Sequence, residues 1–434
     1  MTETTSATEP ATASPGEAHT RSRYADLTRD ELAAVVPELL LIGQLIDRSG
    51  MAWCISAFGR DEMAQIAIEE WAASSPIYTR RMQRALGYEP AEPGRGDVVT
   101  IFKGLQLDIG APPQFMDFRY TVHDPHHGEF HLDHCGALLD VEPMGEDYVR
   151  SMCHDIEDPT FDATAVASNP RAQIRPIHRP PRTPADRHPH CAWTVIIDDS
   201  YPAAEDHPAL ATIGASRAAT LDLAPIDPAD EGASDYAGPL VSDLDFASFS
   251  ASALTRMADE VCLQMHLLDQ SYALAVGKRA AAEEQTLGIR RKQLTGLAGI
   301  AAERLARVLR IPRTEEGAVR LLSLHPLLNP AAYVAAAPDG TGVEVRRGPA
   351  DEDRAWIWLV DPAHTGPLQA IVRGLDPHLD VEVAPLTDGT DGWRLEVVRR
   401  EEAAPEDGSV AVTRFSAGAG FAFVERRSLP IFPV

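Results

Sequence analysis

Between His123 and Cys191 the chain places nine of its fifteen histidines and three of its five cysteines, in less than a sixth of its length. Thiolate and imidazole are the ligands that borderline-soft ions such as zinc or iron favour, and imidazole also moves protons near neutral pH. Four clusters supply them: His131-Leu132-Asp133-His134-Cys135, Cys153-His154-Asp155, Ile177-His178-Arg179-Pro180-Pro181 and His188-Pro189-His190-Cys191. The first ligand set to expect is Cys135, Cys153, His178 and Cys191 on a divalent transition metal, zinc or iron, with His131, Asp133, His134, His188 and His190 as alternates. Four protein ligands would make a closed, structural site. With one cysteine free, that thiol or a metal-bound water becomes the nucleophile, and His154, Asp155 and Glu157 are the nearby proton carriers. A second partition, His131 and Asp133 with His188 or His190, has the outline of the two-histidine, one-carboxylate triad of non-haem iron oxidoreductases.

No CxxC or HExxH spacing is present, and a single cysteine is most often a small buried hydrophobe. Cys54 and Cys262, on apolar helical faces, take that plain reading. His123, His126 and His127, in a His-Asp-Pro-His-His-Gly turn, read as solvent-exposed loop residues. Five arginines, Arg171, Arg175, Arg179, Arg182 and Arg187, crowd into seventeen residues beside the candidate ligands. Arginine pairs bidentately with carboxylate and phosphate, so Arg175, Arg179 and Arg182 are candidates to hold a small anionic substrate. The alternative is that they pair with the chain's own carboxylates.

A length of 434 residues allows two sizeable cores, and 44% hydrophobic with 24% charged residues is ordinary for a globular protein. A formal charge of −26 repels phosphate backbones and anionic lipid, so neither nucleic acid nor membrane is an expected partner. The longest apolar runs fall short of a membrane span. Residues 1–23, rich in Thr, Ala, Glu and Ser without an apolar core, read as a disordered tail and not a signal peptide. An odd number of cysteines fits free thiols or metal ligands in a reducing, cytoplasmic setting.

The elements that must position these residues look duplicated. Helical signals fill residues 25–88: apolar residues recur at helical spacing through Leu32–Ile46, Asp61-Glu62 opens a second helix ending near Trp71, and Ser74-Ser75-Pro76 caps a third. Residues 250–311 repeat the pattern. Leu32, Leu39, Leu45, Ile46, Asp47 and Ser49 match Leu254, Val261, Leu267, Leu268, Asp269 and Ser271 at one offset, and Arg81, Met82, Arg84 and Leu86 match Arg304, Leu305, Arg307 and Leu309. Gly96 and Val98 then match Gly317 and Val319, Asn169-Pro170 matches Asp376-Pro377, and Trp193 matches Trp393. Helical leucines alone match by chance; a preserved order across helices, a turn and a strand argues for duplication. Strands are expected over 114–122, 129–132 and 192–197, then over 356–360, 381–383 and 393–398. The expected fold is therefore α+β and internally duplicated, each half (24–197 and 247–434) a helical subdomain followed by a small, mostly antiparallel sheet. The halves are expected to form an intramolecular pseudo-dimer joined by a linker or surface excursion over 198–246. Cys191 faces Asp391 and His178 faces Pro385 in the rough alignment, so the second half is a degenerate repeat without the site.

The run from Leu45-Ile46-Asp47 through Phe58-Gly59, Trp71, Arg81, Leu86-Gly87, Cys135, Cys153, Asn169-Pro170, Pro180-Pro181 and Cys191-Ala192-Trp193 resembles a bacterial and archaeal family similar to L-2-amino-thiazoline-4-carboxylic acid hydrolase-like proteins. The likeness covers about residues 27 to 197, and more faintly 250 to 400. It implies an α+β fold, a cysteine-containing site and hydrolysis of a small cyclic carboxylate. At the Pro-Pro element the family pattern has cysteine where this chain has Ile177-His178-Arg179. Taken together, the sequence leads to a metal-dependent enzyme acting on a small anionic molecule by hydrolysis, with a structural zinc protein or a non-haem iron oxidoreductase as the other classes.

Overall fold

The computed structural model describes residues 19–387 and 389–434. Most of the expected tail, residues 1–18, lies outside the described residues. From Ser22 onward the chain is tied down: Ser22 Oγ donates to Asp259 at 3.0 Å and Arg23 Nη2 donates to the Val334 carbonyl at 3.1 Å.

Two α+β halves follow one another in the same order. The first runs α1 (Arg29–Phe58), α2 (Arg60–Ala85), α3 (Val98–Leu105), β1 (Met116–Asp124), β2 (His127–Cys135), α4 (Glu157–Val166), β3 (Ala172–His178) and β4 (Cys191–Ile197). The second runs α5 (Ala251–Gly277), α6 (Glu283–Val308), α7 (Glu315–Leu324), β5 (Ala336–Asp339), β6 (Gly342–Arg346), α8 (Gly366–Leu375), β7 (Leu379–Pro385) and β8 (Gly392–Arg399), with short helical turns between. Both sheets are antiparallel with equivalent strand orders, β1-β2-β4-β3 and β5-β6-β8-β7. Capping repeats too. Thr28 accepts the Glu31 N–H and Ser250 the Ala253 N–H; Asp97 and Thr314 cap α3 and α7 in the same way. Among the described residues no helix is long and apolar enough to cross a membrane.

Three local expectations change. α2 does not break at Ser74-Ser75-Pro76 but runs through, because Ser74 Oγ bonds back to the Glu70 carbonyl at 2.6 Å instead of capping a new helix. Residues 356–359 form a 3₁₀ turn and not a strand, its Trp356 driven fully inside. β3, β5 and β6 escape the alternation signal: β5 is short and mostly exposed, and β3 carries Pro176 on an edge strand, where a missing N–H is tolerated. The sheet register also equates Pro385 with Pro176, since each lies opposite the strand tryptophan, so His178 has no counterpart there.

The halves pack through their helices around a pseudo-twofold relation. α1 and α5 are buried along most of their length, and their apolar faces are interrupted by buried polar groups, Glu38, Gln44 and Asp47 in α1 and Glu260, His266 and Asp269 in α5. Gly50 and Tyr272, equivalent positions of the two halves, touch each other: Tyr272 Oη donates to the Gly50 carbonyl at 3.2 Å, and a Cβ at Gly50 would stand 2.6 Å from Gln293 Nε2. Around this crossing the contacts come in reciprocal pairs, as an isologous interface requires. Ser49 Oγ donates to the Gln293 carbonyl while Ser271 Oγ donates to the Glu70 carbonyl. Arg81 forks onto Glu260 at 2.8 and 3.1 Å, and Arg304 donates to Glu38 at 2.7 Å.

Each of those guanidinium groups also holds a later segment of the chain. Arg81 Nη1 donates to the carbonyls of Ala219 and Leu221, Arg304 Nη1 to those of Gly418, Ala419 and Phe421. Residues 198–246 are therefore not a free linker. Ile213, Ala218, Leu223 and Tyr236 enter the same core as α5, and the 404–421 stretch repeats the strap in the second half.

Glu260→Gln leaves the Arg81 cation buried without a counter-charge and is expected to destabilise the protein by about 3–5 kcal/mol in urea unfolding. The double variant Arg81→Met, Glu260→Met, which removes both charges, is expected to recover most of that loss.

Candidate functional site

The residues that converge most sharply on one place lie on α1, α2 and the start of α4. A cavity of about 80 Å³ is bounded by Gln44, Arg48, Trp71, Asp108, Glu157 and Thr164, among others. α1 delivers Gln44 and Arg48 from positions four apart on one face. The loop after α3 brings Asp108, whose Oδ1 accepts from Tyr78 Oη at 2.9 Å and from the Gly110 N–H at 2.7 Å. Glu157 follows a π-helical turn, Ser151–Ile156, a widened geometry that recurs at functional sites.

Three buried side-chain atoms of the lining residues have no partner among the described residues, Gln44 Oε1, Arg48 Nε and Glu157 Oε2; Asp47 Oδ1 and both Glu70 oxygens, on residues next to Arg48 but outside the lining, lack one as well. Buried polar atoms are nearly always satisfied, so such a concentration marks a place where water or a ligand completes the bonding. Burial pushes Glu157 up to about 8, against the opposing pull of Arg179 and Arg48. Asp108 rises to about 6 for the same reason, and Glu70 well above the carboxylate range despite the Arg48 charge. Arg48 itself pairs with the neighbouring Asp47.

A second chamber of about 160 Å³ shares Arg48, Met152 and Ile156 with the first. Its walls are mainly apolar, and four of the nine methionines, Met51, Met63, Met144 and Met152, line it. Thr413 and Phe415 from the second half close its other side, with Phe415 90% exposed at the mouth.

The three cysteines lie beside this site but do not form the expected ligand set. Cys135, Cys153 and Cys191 are buried and free; Glu157 acts on all three, Cys153 feels both other thiols and Cys191 feels Cys135. Burial, reinforced by Glu157, pushes Cys135 up to about 12 and the other two thiols well above their usual range, so all three are protonated at neutral pH. His178 is elsewhere. It stands opposite Ala192, in one row with His131 across the sheet, whereas Cys191 pairs with Leu132 on the buried face; strand alternation separates imidazole from thiols. The residues present do not fit a Cys₃His centre. The alternates are also dispersed: His131 contacts Asp133 at 3.4 Å on the outer face, while His190 is buried, lies near His134 and His188, and is lowered to about 4 by burial and by Arg182.

Of the expected proton carriers only Glu157 reaches the cavity. His154 Nε2 is held by the Pro180 carbonyl at 2.7 Å and Asp155 is exposed. The three arginines are occupied by the chain's own carboxylates: Arg175 by Asp162 at 2.8 Å, Arg179 by Asp158 at 2.5 Å, and Arg182 by Glu142 at 2.8 Å. The cation in the cavity is Arg48, which the histidine-rich segment gave no reason to single out. Its signal was the pairing of Gln44 and Arg48 with Asp47 in an otherwise apolar stretch of helix. Cys54 and Cys262 are core residues set against Tyr272 Oη and Tyr24 Oη, as the plain reading holds.

In the second half the equivalent site is filled. His266 replaces Gln44, Gln270 replaces Arg48 and Asn329 replaces Asp108. His266 Nε2 bonds the Asn329 carbonyl at 2.8 Å, and its ring packs on Tyr333 and Trp356, both fully buried.

Glu157 ionises at about 8 in the folded protein, against ~4.3 in an unfolded chain. The native state therefore holds the extra proton between those values, and the stability this confers is fully present below about pH 4 and lost as pH rises through 8. Glu157→Gln is expected to flatten that decline, read as a smaller drop in unfolding free energy between about pH 6 and about pH 9 than in the parent protein. An unchanged slope would mean Glu157 titrates normally. No family model, curated protein or solved structure matches this chain.

Proposed function

We propose that the first half is a hydrolase for a small anionic molecule, with Arg48 holding the anionic group and Glu157 carrying the proton. The observation behind this reading is the meeting of a buried cation, a carboxyl titrating near neutrality and several unpaired polar atoms in one cavity. A carboxyl poised near the working pH is what general acid–base catalysis needs. The ionised Glu157 takes a proton from water as the oxygen bonds to the substrate carbon, and returns it to the nitrogen as the carbon–nitrogen bond breaks.

The paired chambers give the substrate a shape: a charged end at Arg48 and a less polar body in the methionine-lined chamber, whose flexible thioethers adapt to it. A small cyclic carboxylate, the class named by the resemblance to the amino-thiazoline carboxylate hydrolase-like proteins, fits that description. Five free cysteines suit a reducing compartment, and we place the protein in the cytoplasm. Neither the zinc-staple nor the iron-oxidase ligand set has its atoms gathered within 4.8 Å among the described residues, although His131 and Asp133 share a face and touch, and neither reading is carried further.

The test is turnover of L-2-amino-thiazoline-4-carboxylate, with related small cyclic carboxylates screened beside it. Activity is expected to rise with pH to a plateau above about 8, Glu157→Gln to lower kcat by ~10²–10⁴, and Arg48→Met to act chiefly on KM. Full activity in both variants would overturn the assignment of this cavity.

A further inference from the structure

We infer that His123, His127 and Glu129 form a binding site for one divalent transition-metal ion of the zinc type, on the outer face of the first sheet. These three are the single group among the described residues whose histidine, cysteine or carboxylate ligand atoms all lie within 4.8 Å of one another. The site is separate from the Arg48 cavity, because β2 alternates: Gly128, Phe130 and Leu132 point into the core while His127 and Glu129 point out.

The backbone sets up the cluster. His127 and Glu129 are two residues apart on one strand and so share a face. His123 lies across the hairpin on β1, at the point where the ladder slips between Val122 and Asp124. Such an irregularity re-aims a side chain, and here the ring of His123 meets that of His127 with centroids 4.4 Å apart. His123 Nε2 is buried without a hydrogen-bond partner among the described residues and faces Glu129 Oε1 at 3.4 Å. Two ligands ~2.0–2.1 Å from a tetrahedral ion stand about 3.3 Å apart, so this edge already has the length that zinc requires.

Two imidazoles and a carboxylate leave a fourth position for solvent or a ligand, the pattern of open zinc sites. The formal charge of −26 draws cations toward the surface. The second half again lacks the feature. Its matching hairpin pairs Asp339 with Gly342 where the first pairs Asp124 with His127, which puts Pro338 and Gly342 where the imidazoles would be and keeps only Glu344.

Calorimetric titration of the chelator-treated full chain with zinc alone tests this. One equivalent is expected to bind; His127→Ala and Glu129→Gln are each expected to weaken it at least about tenfold, while Cys153→Ser binds as the parent does. Cobalt loading is expected to give visible d–d bands without thiolate charge-transfer absorption. Absence of zinc binding, undiminished binding in His127→Ala, or a thiolate band on cobalt would each overturn the site. None of these results depends on catalysis at Arg48 and Glu157, so the two proposals fail separately.

Discussion

Two buried arginine–glutamate pairs, exchanged between the halves, are the constraint on which the architecture turns. Arg81 reaches Glu260 and Arg304 reaches Glu38, so each half supplies the counter-charge that the other cannot do without. A guanidinium taken from water needs acceptors beyond its counter-charge, and here carbonyls of the straps at 219–221 and 418–421 accept from Nη1 of each. One set of polar groups thereby fixes helix to helix, half to half and strap to core. Apolar burial of α1 against α5 supplies the greater part of the driving force; the ion pairs select a single alignment for it.

That alignment is symmetric, but its contents are not. At one end of the pseudo-twofold, Trp356, Tyr333 and His266 fill the space between helices and turn; His266 Nε2 bonds the Asn329 carbonyl, while His266 Nδ1, Trp356 Nε1 and Asn329 Oδ1 have no partner among the described residues. At the other end Gln44, Arg48 and Glu157 stand around open volume with atoms unpaired. Buried volume left open costs packing energy, so the filled half is the packing solution and the hollow half departs from it. The outer hairpin shows the same division, with imidazoles in the first half and none at the matching positions of the second.

Much of the fold was legible because helices and duplication leave local traces. Leucine spacing, Asn169-Pro170 against Asp376-Pro377, and Trp193 against Trp393 all survive in linear order. What escaped was set by distant partners. Pro76 sits mid-helix because Ser74 and the packing of α2 outweigh the local break; Trp356 turns inward to fill a space its own neighbours do not reveal. The strap over 198–246 reads as loose loop, since its order comes from Arg81 and from Asp353, which binds the N–H groups of Arg217 and Ala218. Composition singled out the cysteines and Glu157, and the fold brings these side chains near one another. Arg48 and Asp108 were not, lying outside the histidine-rich segment, and His123 and His127 were passed over as turn residues.

By itself the sequence determined the class of fold, the repetition and the half in which histidines and cysteines are concentrated, because residue type and periodicity are local properties of the chain. Only the tertiary structure decided which of those residues share a space. Alternation on β2, β3 and β4 sends His178 and Cys191 to opposite sides of one sheet, a slip in one ladder turns His123 toward Glu129, and the crossing of α1 with α2 and α4 puts Arg48 beside Glu157. Side-chain direction depends on register and packing between segments far apart in the chain, and nothing in the linear order of residues encodes it directly.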